Sequence, residues 1–384
     1  MTAQTGRAPT AGRGLAGVRT LDDVRLPRSA RVLARFDWNT PLAGGLVADA
    51  SRVEATLPTL IRLRDLEAEV TVATHLGYPG GRPDGRLKVQ TLLGPLVHPV
   101  FPGVRIAENV RFFPGEEAND PAFAASLAEG HDIFLNDAFS CAHRPHASVV
   151  GLPALLPSLA GPLFVREVRA LEPWLSPSSA PTGLLLGGAK LGDKFRLLSI
   201  LADRTDVVTV GGLAALPFLV AVGRVEDDDR VDPRFIKAAA TLLGRDGAIH
   251  LPTDVRVRAA DGDVAVRTGR LRPGDRYLDV GPDTCERFAK MLSRCARILW
   301  NGPLGHYEQP PFHIGTAGLA AALDSHLGKV TVGGGDTCAA LRRTGLLSRT
   351  AHASTGGGAM LSLLADGDLV GLAALRRSSH HWPK

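Results

Sequence analysis

From about residue 31 to residue 372, short apolar runs alternate with helical stretches, and this alternation limits the fold more than any other feature of the chain. ARVLARFD, EVTVATHLG, VRIAENVRFF and DIFLND read as buried parallel strands in the first half. TGLLLGGAK, DVVTVGG, AIHLPTDV, ARILWNGP and VTVGGGD do so in the second. Helical patterns such as SRVEATLPTLIRLRDL, DKFRLLSILADR and DTCERFAKML lie between them. Strands that are apolar almost throughout fit parallel sheets covered on both faces by helices. The expected fold class is therefore α/β, with two doubly wound parallel-sheet (Rossmann-like) domains. A length of 384 residues suits two domains at roughly 100–200 residues each.

Proline and serine concentrate in LEPWLSPSSAPTG (171–183), and VREVRALEPWL ahead of it reads as a hinge helix. The expected organisation is a mobile tail at 1–20, an anionic-acid domain at 21–160, a hinge helix and linker at 161–182, a nucleotide domain at 183–365, and a C-terminal segment at 366–384 returning towards the first domain. Ser51-x-x-Glu54 has the pattern of a capping box, which would set Arg52 in the first turn of a helix. Asp120-Pro121 has the pattern of a helix start, with a capping residue before proline.

No apolar run approaches the roughly 18 residues of a membrane span, and MTAQTGRAPTAGRG lacks the apolar core of a signal peptide. Cytoplasmic residence is the expectation. Cys141, Cys285, Cys295 and Cys338 follow no metal-binding spacing, and reduced thiols are expected. The chain carries 44 basic and 39 acidic residues, and only 7 of the basic ones are lysines. The arginines are scattered and form no basic stripe with interleaved aromatics, so nucleic acid is not an expected partner. Scattered guanidinium forks suit small carboxylates and phosphates.

Glycines cluster directly after strands in the second half. VTVGGGDTCAAL (330–341) and AHASTGGGAMLSLL (351–364) each read as strand, three glycines and helix. Such turns let backbone approach a phosphate at a helix N-terminus, although tight βα turns need glycine too. GGAKLGDKF (187–195) adds Lys190 and Lys194, two of the few lysines, beside a glycine pair. The pattern is not Walker A, and protein-kinase signatures are absent. Asp336 suits either a helix N-cap or a Mg²⁺ ligand on nucleotide phosphates.

In the first half, Asp37 and Asn39 end a strand, Arg52 opens a helix, and His75 ends another strand. Arg111 follows Glu108-Asn109, and His143, Arg144 and His146 follow DIFLNDAF. Arginines and histidines recurring at strand ends describe a pocket for a small, strongly anionic molecule. The histidines lack metal-ligand spacing. One domain for nucleotide phosphates and another for a small anion imply closure and in-line phosphoryl transfer.

These residues resemble the phosphoglycerate kinase family. RFDWNTP is similar to the family's R-x-D-F-N-x-P, and ADASRVEATLPTL, THLGYP, ENVRFFPGEE, NDAFSCAHRPHAS, GGAKLGDK, LPTDV, DVGPDT, LWNGPLGHYE, GGGDT and STGGGA follow in the family's order. The resemblance implies transfer between 1,3-bisphosphoglycerate and ADP, giving 3-phosphoglycerate and ATP, with Mg²⁺ and hinge closure. It implies that Asp37, Asn39, Arg52, His75, Arg111 and Arg144 bind the acid. Arg52 and Lys190, with Gly334 and Gly335, would serve catalysis. Lys194, Asn301, Pro303, Glu308, Gly334, Gly335, Asp336 and Thr337 would hold the nucleotide, Asp336 also holding the metal. A monomer with two small ligands and no membrane partner is expected.

The family pattern is broken at several points. Tyr78 stands where the family has an arginine after His-Leu-Gly, in the phosphate end of the acid pocket. The stretch from Tyr78 to Glu108 is shorter than the family's by about one βα unit, a dozen or more residues. Trp38 replaces phenylalanine, and Val210-Gly211-Gly212 stands where three glycines are usual. Beside a working phosphoglycerate kinase stand two alternatives: a related kinase making an acyl phosphate on another small acid, and a non-catalytic paralogue.

Overall fold

The computed structural model describes residues 14–226, 228–244, 249–378 and 382. They form two compact units, one of residues 14–175, 366–378 and 382, the other of the described residues between 176 and 365. The first unit holds β1 (Arg31–Arg35), a hairpin of β2 (Leu42–Ala43) and β3 (Leu46–Val47), then β4 (Glu69–Ala73), β5 (Arg105–Ile106), β6 (Ile133–Asn136) and β7 (Ser158–Ala160). The second holds β8 (Thr182–Leu186), β9 (Val207–Val210), β10 (Ile249–His250), β11 (Asp254–Arg258), β12 (Val264–Thr268), β13 (Arg276–Val280), β14 (Arg297–Asn301), β15 (Val330–Gly333) and β16 (His352–Ala353).

The main sheet of the first unit has the order β5-β4-β1-β6-β7, with every pair parallel. Val32 and Ala34 enter one core with Phe36, Leu60 and Leu63. Leu33 enters the core on the opposite face with Phe134 and Leu152. Both faces of β1 are thus buried, which is why its sequence shows no polar alternation. The chain winds outward from β1 through β4 to β5, then resumes on the other side at β6. The sheet therefore reverses direction between β1 and β6, the place where ligands bind in such folds.

The main sheet of the second unit, β10-β9-β8-β14-β15-β16, is also parallel throughout and reverses between β8 and β14. Parallel α/β sheets are what the sequence leads one to expect. It does not foretell the antiparallel sheet β12-β11-β13. AIHLPTDV, read as one parallel strand, divides into β10 and β11 at Leu251-Pro252-Thr253. A proline cannot donate to a ladder, so the break falls there. VRIAENVRFF is likewise not one strand. It is β5 followed by a 3₁₀ turn, Val110–Phe112, because the Asn109 side chain accepts from Arg111 N at 3.1 Å and turns the chain.

Residues 14–20, expected within a mobile tail, are instead packed. Thr20 bridges to Ala160, and Leu15 N donates to Glu172 Oε1 at 2.7 Å. The rest of that expected tail, residues 1–13, lies outside the described residues. Helix Val370–Ser378 belongs to the first unit, with Gly371 N on Ala142 O at 2.9 Å and Ser378 Oγ on Leu156 O at 2.8 Å. None of the four cysteines forms a disulfide. No single helix among the described residues is long and apolar enough to cross a membrane, and one bent pair, Gly357–Asp366 with Val370–Ser378, passes by length and composition only.

Candidate active site

In the first unit the anion-binding candidates gather at the carboxyl ends of β1, β4 and β6. Asp37, just beyond β1, accepts from Arg52, from Ser140 Oγ and from Asn39 N at 3.1 Å. His75 Nδ1 lies 3.9 Å from Asp37 Oδ1 and 3.0 Å from Arg35 Nη2. Burial alone would raise the Asp37 carboxyl; Arg52, the Ser140 hydroxyl and Arg35 reverse this and hold it well below the usual carboxylate range. Burial pushes His75 down, and Arg35, Arg111 and Arg144 add to that against the pull of Asp37. His75 is therefore a neutral imidazole whose Nδ1 accepts from Arg35.

Asn39 Oδ1 accepts from Gly77 N at 2.7 Å, and Arg111 Nη1 donates to Gly77 O at 3.0 Å. The turn after β4 is thus pinned from two sides. Trp38 fits because its indole N–H reaches Thr56 Oγ1 at 2.8 Å and its ring stacks on Phe36 at 5.6 Å. Tyr78 is 73% exposed and covers the Arg111 guanidinium, 4.8 Å from the ring centroid. Its phenol faces Arg144 and Arg111, and those cations, Arg144 most, draw its pKa below the usual value.

The capping-box reading of Ser51-x-x-Glu54 is corrected. Ser51 is the first residue of helix Ser51–Glu54 and makes no cap bond; Ser51 N instead donates to Asp49 Oδ1 at 2.8 Å. Arg52 is on this short helix all the same. Asp120 does cap helix Pro121–Ala128, accepting from Ala122 N at 2.9 Å. The sequence reading missed Arg35 and Ser140. Arg35 is 1% exposed, and a lone arginine inside an apolar strand was the available signal. His143 and His146 remain apart from the carboxylate cluster: His143 Nε2 lies 3.3 Å from Arg144 Nε, and His146 Nδ1 lies 3.8 Å from Glu116 Oε1.

The second unit builds its site at the reversal between β8 and β14. Gly187 N donates to Asn301 O at 3.0 Å and Gly188 N to Pro303 O at 2.7 Å. A Cβ on Gly302, which has φ +103°, would stand 2.1 Å from Gly187 O, so the two strand ends close only on glycine. Lys194, in helix Leu191–Leu201, is buried and donates to Asn301 O at 3.3 Å and to Asn301 Oδ1. Burial brings its pKa down to about 8, with Asp193 and Asp336 pulling the other way. Lys190 is exposed at the start of the same helix.

After β15, Gly334 with φ +94° is the N-cap of helix Gly335–Arg343, and Asp336 lies in its first turn. Asp336 is therefore not the N-cap, the plainer of its two expected roles. Thr337 is buried; its hydroxyl accepts from Gly302 N at 2.7 Å and donates to Gly333 O at 2.8 Å. It ties the two loops together. The second glycine triplet packs on the first, Gly357 lying where a Cβ would touch Gly334 Cα at 3.2 Å. A cavity of about 340 Å³ opens over these turns, lined by Gly188, Ala189, Pro303, Glu308 and Asp336 among others. Arg230, Arg276, Tyr277 and Leu278 line it as well, and the sequence reading missed them.

Helix N-termini and lysines at one strand reversal, with arginines at another, belong to the chemistry of two-domain α/β phosphotransferases. The sequence model of the phosphoglycerate kinase family matches residues 21–100 and 102–367. The phosphoglycerate kinase of Thermomicrobium roseum is 40% identical over 389 residues, covering 93% of this chain and 99% of its own. A phosphoglycerate kinase of Thermus thermophilus is 40% identical over 393 residues, covering 93% and 100%. The structure of phosphoglycerate kinase from Coxiella burnetii superposes with a TM-score of 0.84 at 30% identity, covering 94% of this chain and 99% of that one. The chain belongs to the phosphoglycerate kinase family.

Proposed function

We propose that this chain transfers a phosphoryl group reversibly between 1,3-bisphosphoglycerate and ADP, giving 3-phosphoglycerate and ATP. The first unit binds the acid through Asp37, Asn39, Arg52, His75, Arg111 and Arg144. The second binds the nucleotide through Lys194, Asn301, Pro303, Glu308, Gly334, Gly335, Asp336 and Thr337. The observation that carries this reading is that both clusters sit at the strand reversals of their own sheets, within a chain matched by the family almost throughout.

Each residue has a definable part. Arg52 is 36% exposed at its side chain and paired with Asp37, so its guanidinium is positioned yet open to a ligand. It stabilises charge on the phosphoryl group in transfer, as does the exposed ammonium of Lys190. The free amides at the start of helix Gly335–Arg343 face the phosphates. Lys194 neutralises them from below. Neutral His75 and ionised Asp37 hold the arginines in place and give the acid a hydrogen-bonding wall.

Asp336 fits Mg²⁺: it is an exposed carboxylate lining the cavity, and this ion favours one or two carboxylates together with phosphate oxygens. When bound, the ion would offset negative charge on the nucleotide phosphates.

Tyr78 favours a second reading, a kinase for another small acid, because a neutral phenol covers Arg111 and faces Arg144 in the acid pocket. Both readings are tested by measuring ADP release from ATP with 3-phosphoglycerate and with a panel of phosphorylated and phosphonate carboxylic acids. Release with 3-phosphoglycerate supports the first, and release with another acid alone supports the second.

A further inference from the structure

A chain of hydrogen bonds runs through the interior of the first unit and ends on His75. Arg35, the last residue of β1, is 1% exposed, and Ser148 and Glu116 are fully buried. The Arg35 guanidinium donates from Nε to Ser148 Oγ at 2.9 Å, from Nη1 to Phe36 O, and from Nη2 to His75 Nδ1 at 3.0 Å, with Cys141 Sγ at 3.7 Å. Beyond it, the Ser148 hydroxyl donates to Glu116 Oε1 at 2.6 Å and Ser148 N donates to Glu116 Oε2 at 2.9 Å. Glu116 lies on the short helix Pro114–Glu117 and Ser148 in the π-helical turn Ala147–Gly151, so four separate segments of chain meet in this network.

What each group can do fixes the direction of every bond. A guanidinium only donates, so Ser148 Oγ accepts from Arg35 and its single proton goes to Glu116. For the same reason His75 Nδ1 accepts, and in the neutral ring the proton sits on Nε2. A buried guanidinium also needs opposite charge. Asp37 supplies it from within the site, and Glu116 supplies it from behind, through the Ser148 hydroxyl. Held at Nε, the guanidinium cannot turn, and Nη2 stays on the ring.

We propose that Glu116 and Ser148 are positioning residues for the acid site: they hold Arg35 by its Nε, and Arg35 in turn holds His75 in its Nε2–H form, with a ring N–H to offer an anionic acid. The proposal rests on the reading of this pocket as the phosphoglycerate site. Both residues are sealed from solvent, so their effect reaches the acid only through Arg35 and His75. Losing one such hydrogen bond corresponds to about a three- to tenfold loss of affinity.

The test compares the full-length wild type with Ser148→Ala and Glu116→Gln. The alanine removes the hydroxyl, and the amide offers one oxygen to the two donors of Ser148. Nitrogen NMR of isotope-labelled histidine reads the tautomer of His75, whose signals are those lost in His75→Gln. Steady-state kinetics reads KM for 3-phosphoglycerate and for ATP. In the wild type the His75 ring proton should be on Nε2. In both variants the Nδ1–H form, or exchange between the two forms, should appear. KM for 3-phosphoglycerate should rise about three- to tenfold while KM for ATP stays within about twofold. Thermal melts check folding, and if one variant fails to fold the other carries the same measurements. Loss of folding in both makes the network a support of the core alone and overturns the proposal. So does a wild-type ring proton on Nδ1, a ring signal or a 3-phosphoglycerate KM that does not move in a folded variant, or an equal rise in both KM values. A wild type that does not turn over 3-phosphoglycerate sinks the acid-site reading and this inference with it, whereas normal wild-type turnover with unmoved variants sinks the inference alone.

Discussion

Lys194 donates to both oxygens of Asn301, the main-chain carbonyl at 3.3 Å and the side-chain oxygen as well, and so joins the two strand ends where the second sheet reverses. Burial lowers its pKa to about 8, whereas in an unfolded chain a lysine holds its proton to about 10.4. Between those values the unfolded chain binds more protons than the native one. This residue's contribution to stability therefore rises with pH across that window, and the full penalty for burying the charge is present below pH 8. On the proposed reading of Lys194 as a ligand of the nucleotide phosphates, binding has the opposite sign, because it needs the ammonium. ADP affinity should fall by up to about tenfold between pH 7 and pH 9, the range over which a group of this pKa loses its charge. Titration at several pH values checks this, and Lys194→Met should bind weakly with a flat profile.

Arg52 is held by Asp37 and is about one-third exposed. Arg52→Ala should lower kcat by roughly 10²–10³, the scale for losing one preorganised electrostatic donor, with nucleotide affinity nearly unchanged. Steady-state kinetics together with ADP titration separates these effects. A near-normal kcat would mean that the ion pair serves only to position Asp37.

Asp336 is placed in the first turn of helix Gly335–Arg343 and not at its cap. Asp336→Ala should therefore cost only the helix-dipole contribution, about 0.3–1 kcal/mol. It should weaken binding of Mg²⁺-nucleotide far more than binding of nucleotide in a chelator. Calorimetric titrations with and without the metal, beside thermal melts, distinguish the roles. Equal losses in both titrations would count against Asp336 as a metal ligand.

Much of this was legible in the sequence for physical reasons. Strands buried on both faces leave continuous apolar runs, so β1, β4, β6, β8, β9, β14 and β15 stand out by composition. Asp37 and His75 could be found because polar groups directly after such runs fall at the carboxyl end of a parallel sheet, and Lys194 because it belongs to a lysine pair beside the glycines that follow β8. What escaped had weaker local signals. The strand Val264–Thr268 alternates exposed and half-buried residues, with Val264 and Val266 42% and 45% exposed, and its role depends on antiparallel partners distant in sequence. Arg276 and Tyr277 reach the cavity from that same antiparallel sheet, which no glycine turn announces. Ser51 looked like a cap, yet Asp49 accepts from Ser51 N instead.

Tyr78 covers Arg111 and faces Arg144, so it occupies donors that an acid's phosphate would use. The KM for 3-phosphoglycerate should be raised as a result. Tyr78→Arg should lower it by up to about tenfold, for a charge-assisted contact of about 1–1.5 kcal/mol, while the KM for nucleotide stays put. No change in either constant would remove Tyr78 from the acid pocket.

The most direct test of the whole account is the rate of ADP formation from ATP and Mg²⁺ as 3-phosphoglycerate is raised, read through a coupled assay. Wild-type protein should show saturable, 3-phosphoglycerate-dependent turnover that Arg52→Ala reduces by at least about a hundredfold. If the wild type releases no ADP with 3-phosphoglycerate and Tyr78→Arg restores none, the arginine-lined pocket of the first unit is not a phosphoglycerate site, and the central claim is contradicted.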